Sequence, residues 1–146
     1  MIPFRTILVP VDFSEHASHA LDAAVELAKH FGAKLHLIHV YPIQPIMVAP
    51  YEVSIPIDIE KSIRESANQK LREWAERAVQ AGVEVETTSA ADTPAEAIAR
   101  LAQDIRADLI VMGTRGLTGF KHVLLGSVAE RTLRIAPCPV LTLKAD

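Results

Sequence analysis

DLIVMGTRGLTGFKHVLLGS, residues 108–127, joins a short apolar run to a loop carrying Gly113, Gly116, Gly119 and Gly126, and a helical pattern begins at Ser127. An apolar run of this length, bounded by glycine, reads as a strand covered on both faces, and such strands belong to parallel sheets. The loop has a chemical reading as well. Glycines let backbone N–H groups approach a ligand closely, and the first turn of a helix offers unpaired donors and partial positive charge. The stretch predicts an anion cradle at the end of a buried strand and marks the expected functional centre.

Working outward, RTILVPV (5–11) is the other continuous apolar run and reads as the first strand. After Asp12 and Ser14, the stripe Ala17, Ala20, Leu21, Ala24, Leu27, Ala28 and Phe31 predicts a helix closed by Gly32. KLHLIHV (34–40) is a second strand. Residues 41–57 are punctuated by Pro42, Pro45, Pro50 and Pro56, which deny them helix or central strand and predict a long loop, a lid or a partner surface. From Asp58 the stripe Ile59, Ile63, Ala67, Leu71, Trp74 and Ala78 predicts the longest helix, ended by Gly82. VEVETT (83–88) alternates as an edge strand does. Thr93-Pro94-Ala95-Glu96 reads as a capping box, opening a helix that buries Ile98, Leu101, Ala102 and Ile105. CPVLTL (138–143) is the last strand.

Strands and helices alternate throughout, which predicts a single domain, 1–146, of doubly wound α/β class with a five-stranded parallel sheet and helices on both faces. The two most apolar runs should lie side by side at the centre, giving strand order 3-2-1-4-5. Ligands bind where that order reverses, between the loops leaving strands 1 and 4. Those loops are Pro10–Ser14 and Gly113–Ser127, so topology and glycine chemistry choose the same place.

Composition narrows the partners. The 146 residues are 49% hydrophobic and 23% charged, with net charge −3 and no long basic run, which argues against nucleic acid or an anionic membrane as the main partner. The opening MIPFRTILVPVDF is too short to span a bilayer and lacks the pattern of a secretory signal, so a cytoplasmic location is expected. Cys138, the single cysteine, is expected to be a buried structural thiol. A metal site is not expected: His16 and His19 show no third ligand, and His36 and His39 belong to opposite strand faces.

Neither GxxxxGK[ST] nor a GxGxxG after the first strand is present, because the loop there is PVDFSEH. What is present is Gly113, two residues, Gly116, nine residues, then Gly126-Ser127. With ILVPVDFSEHASHAL, the IHV of strand 2, DLIVMGTRG and APCPVLTL, this spacing resembles the ATP-binding branch of the universal stress protein family along the whole chain. The resemblance implies ATP, with Mg²⁺ as a candidate companion, lying across the crevice. Gly113, Gly116, Gly126 and Ser127 would surround the phosphates, Asp12 would face the ribose, and Val11 and Val40 the adenine. Pro10, Met112, Arg115 and Val128 complete the implied set. It further implies a homodimer through Val140–Leu143, an edge with no charge before Lys144, and no catalytic residue.

Each residue has a plainer reading. Ser127 opens Ser-Val-Ala-Glu130, a capping box in its own right, and Asp12 suits the N-cap of the first helix. Arg115, Lys121 and His122 are placed to neutralise phosphate, yet basic loop residues are commonly just solvated. Three functions compete: a nucleotide-binding stress or signalling module, a slow ATPase holding Mg²⁺ with Ser127 and Asp12, and a structural dimer that binds no nucleotide. The absence of an evident general base beside the loop favours the first.

Overall fold

The computed structural model describes residues 3–42, 46–48, 51–53, 57–115 and 125–145. In chain order the elements are β1 (Thr6–Pro10), α1 (Glu15–Phe31), β2 (Lys34–Tyr41), β3 (Ile46–Val48), β4 (Tyr51–Val53) and α2 (Ile57–Gln80). They continue with β5 (Val85–Ala91), α3 (Pro94–Asp104), β6 (Leu109–Gly113), α4 (Ser127–Ile135) and β7 (Val140–Leu143). Five strands form one parallel sheet in the order β5-β2-β1-β6-β7. This is the expected 3-2-1-4-5 arrangement, with β1 beside β6 in the register Ile7↔Leu109 and Leu8↔Ile110.

Strand alternation divides the core in two. Ile7, Val9, Leu35, Leu37, Leu109 and Val111 face α1 and α2, meeting Ala20, Leu21, Ala24, Leu71 and Ala78. Leu8, Ile38, Ile110 and Met112 face α3 and α4, meeting Ile98, Ala102 and Ala129. Both central strands are apolar at consecutive positions because each has a helix layer on either side. Asp108 aligns their starts: its Oδ2 accepts from the backbone N–H of Arg5 at 2.8 Å and of Thr6 at 3.0 Å.

Several expectations need correcting. Within 41–57, β3 and β4 form an antiparallel hairpin, with Ile46 opposite Val53 and Val48 opposite Tyr51. The paired residues 46–48 and 51–53 contain no proline, and a two-stranded ribbon has no central strand for proline to disrupt. Tyr41 belongs to β2 and Ile57 to α2, and residues 43–45, 49–50 and 54–56 fall outside the described residues. Ile59 and Ile63 continue the α2 stripe but are 46% and 40% exposed, because the buried part begins only at Ala67, where the helix reaches the sheet. The fifth strand in sequence runs over 85–91 rather than 83–88, and the last begins at Val140 rather than Cys138. Cys138 itself is half-buried.

The caps also differ. Ser14, not Asp12, caps α1, its Oγ accepting from Ala17 N–H at 3.2 Å. Thr93 is the N-cap of α3 and Pro94 its first residue, but the Thr93 side chain makes no capping bond. Glu96 binds Arg131 of α4 instead, joining the two helices. Gly126, not Ser127, is the N-cap of α4, and Glu130 pairs with Arg134 at 2.6 Å rather than reaching back. In both boxes an arginine offers the glutamate a charged partner, which binds more strongly than a backbone amide.

Candidate functional site at the β1–β6 crevice

After β1 the chain passes to α1 on one face of the sheet, and after β6 it leads to α4 on the other. The two loops diverge, and a crevice opens at the carboxyl ends of neighbouring strands.

On the β1 side, Pro10 closes the strand and Val11 still donates its N–H to Ile38 O at 2.8 Å. Asp12 folds its Oδ1 onto Ser14 N–H at 3.0 Å, a local turn that sets the start of α1. Between them Phe13 has φ 64°. Val40 stands near the end of β2, half-buried against the α3 and α4 side of the core. Pro10, Val11, Asp12 and Val40 are thus brought to one end of adjacent strands.

On the β6 side, Met112 is buried in the core. Gly113 packs against α1 so closely that a Cβ there would stand 2.7 Å from His16 Cβ and 2.9 Å from the His16 carbonyl carbon. A valine at Gly113 would therefore not spare the fold, and this glycine serves helix–strand packing as well as any ligand. Thr114 donates its N–H to Leu143 O at 2.9 Å and accepts from Gly126 N–H at 2.5 Å, so the start of α4 is fastened beside the end of β6. Arg115 follows directly. Ser127 and Val128 are exposed in the first turn of α4, which has no side-chain cap among the described residues. Gly116, Gly119, Lys121 and His122 lie outside the described residues.

The universal stress protein family matches residues 3–144 of the chain. The chain belongs to that family. Universal stress protein MJ0531 of Methanocaldococcus jannaschii is 37% identical over 141 residues, covering 97% of this chain and 82% of that protein. The solved structure of hypothetical protein MJ0577 superposes with a TM-score of 0.84 at 26% identity over 99% of both chains. A universal stress protein solved in complex with cAMP superposes with a TM-score of 0.72 at 29% identity, again over 99% of both chains.

Two features of this universal stress protein escaped the sequence reading. His39 places Nδ1 2.8 Å from Val11 O, and its ring lies 4.5 Å from that of Phe13. No spacing rule signals either contact, because both depend on the path of the loop after β1. His16 accepts from Ala145 N–H through Nδ1 at 3.2 Å, tying α1 to the segment after β7. Among the described residues no helix is long and apolar enough to cross a membrane, and no group of three or more His, Cys, Asp or Glu is placed to hold a metal ion.

Titratable groups near the sheet are set by ordinary causes. Arg100 beside Asp92 and Arg131 beside Glu96 hold both carboxyls below the usual range. Burial, then Asp108, pushes the Cys138 thiol up, so it is a poor nucleophile.

Proposed function

We propose that this protein is an ATP-binding stress or signalling module, a single nucleotide-binding domain over residues 1–146 that works as a homodimer. ATP, with Mg²⁺, would lie in the β1–β6 crevice. The observation that carries the reading is the first turn of α4, which has a glycine at its N-cap, no side-chain cap among the described residues, and a place beside the end of β6. Its amides and partial positive charge suit a phosphate. The cradle is closely fitted, since a Cβ on Gly126 would stand 3.1 Å from Thr114 O.

In this reading Gly113, Gly116, Gly126 and Ser127 surround the phosphates, with Arg115 and Val128 flanking them. Asp12 binds the ribose, and Pro10, Val11, Val40 and Met112 border the base. The cAMP-bound relative supports an adenine nucleotide as the ligand class. Bound, ATP supplies a switchable state rather than a reaction, since binding one conformation better than another shifts their populations.

The test is calorimetric titration of nucleotide-stripped protein with ATP and Mg²⁺, repeated on Asp12→Ala and Gly126→Ala after checking that both fold. Micromolar binding, weakened at least tenfold in either variant, is the expected result. No heat with any adenine nucleotide would leave the structural dimer as the better account.

A further inference from the structure

The loop after β1 holds a residue in a conformation that its type resists. Phe13, at φ 64°, lies in the left-handed region, where a Cβ crowds the backbone and non-glycine residues persist only if their surroundings hold them. Those surroundings come from β2 and α2. The Phe13 ring lies on His39 at 4.5 Å, meets the edge of Trp74 at 5.3 Å, and has the Lys70 ammonium 5.4 Å from its centroid. His39 also reaches Val11 O through Nδ1 at 2.8 Å. A carbonyl only accepts, so Nδ1 carries the proton and donates. One imidazole therefore fastens the residue before Asp12 and the residue after it.

We infer that His39 and Phe13 are positioning residues for the nucleoside end of the ligand: they brace the strained turn that presents the Asp12 carboxylate. The inference rests on the nucleotide reading above. Asp12 is held from within by its bond to Ser14 N–H, but the direction of the whole turn is set by the two neighbours that His39 grips. His39 also directly precedes Val40, so the same ring joins the segments assigned to sugar and base. The phosphate end is built from β6 and α4 instead.

The experiment compares wild type, His39→Leu, His39→Asn and Phe13→Gly by calorimetry with adenosine, ATP and inorganic triphosphate. His39→Leu keeps apolar bulk without the donor, and His39→Asn returns an N–H near the place of Nδ1. His39→Leu is expected to weaken adenosine and ATP by the same factor, about tenfold. Triphosphate should be unaffected, and His39→Asn should recover most of the loss. Phe13→Gly, which accepts the backbone angle but lacks the ring, is expected to follow His39→Leu. Equal losses for all three ligands, or unchanged adenosine binding in folded His39→Leu, would overturn the inference. Wild type that binds neither adenosine nor ATP would overturn the nucleotide reading itself. Amide exchange at Ser14 then decides the brace alone: faster in His39→Leu and restored in His39→Asn if it exists, unchanged in both if it does not.

Discussion

Gly113 and Gly126 belong to one sequence motif but meet different physical demands. A Cβ on Gly113 would press into the Cβ and backbone of His16, and backbone cannot swing aside, so α1 must move. Gly113→Ala is expected to lose about 1–3 kcal/mol of stability in urea unfolding. Gly126 has φ −70°, which any residue adopts, and the 3.1 Å approach to Thr114 O asks only for a small shift. Gly126→Ala should lose less than about 1 kcal/mol. Equal losses would mean that the contact with His16 yields. Spacing alone did not separate these roles, because it records where glycine occurs and not which neighbour requires it. His36 allows a pH test. Burial holds its imidazole below the usual range, with Glu86 pulling up and Lys34 pushing down. A histidine depressed on folding is more readily protonated unfolded, so its contribution is complete above the unfolded value of about 6.5 and is lost as pH falls below it. The stability advantage of wild type over His36→Gln should shrink from pH 7.5 to pH 5 in parallel denaturant titrations; a constant or growing advantage would refute the assignment.

At the scale of elements, helix starts show what a sequence can and cannot specify. Ser14 makes its capping bond to Ala17, and Thr93 makes none although it occupies the same position in α3. Ser14→Ala should therefore lose about 1 kcal/mol in thermal or urea unfolding and Thr93→Ala only a few tenths. Comparable losses would show that Thr93 caps in solution. The sequence placed α3 correctly through Thr93-Pro94, because proline at the first helical position is a backbone constraint that needs no tertiary partner. It misjudged the glutamates of both capping boxes, since Arg131 and Arg134 compete for them, and Arg131 reaches Glu96 only once α3 and α4 are packed. The same distinction explains the exposed turns of α2. Ile59 and Ile63 continue the periodic stripe, but only the path of the chain decides how far the sheet extends beneath it.

At the scale of the whole molecule, the sheet's order was legible because the two most apolar runs, in β1 and β6, belong side by side at the centre and the alternating run in β5 belongs at an edge. The two edges are not equivalent. β5 carries exposed Glu86, whose carboxylate lies 3.6 Å from the His36 ring, and exposed Thr87, so it presents charge and polar groups to solvent. β7 presents Leu141 at 39% exposure, with Val140, Thr142 and Leu143 half-buried and no charge before Lys144. Exposed Leu133 and Ile135 of α4 add apolar surface in the segment just before that strand. Unpaired strand edges are ordinarily defended by charge, bulges or proline, and an undefended one is a template for another strand. Two copies joined about a twofold axis would pair β7 with β7 and close the surface, whereas pairing through β5 would set Glu86 against like charge. Wild type is therefore expected to sediment as a dimer over a wide concentration range. Leu141→Lys should shift it to monomer while leaving the unfolding midpoint of dilute protein nearly unchanged, and Thr87→Lys on β5 should leave the dimer intact. A Leu141→Lys protein that stays dimeric would place the interface elsewhere, and a dimer lost in Thr87→Lys would place it on β5.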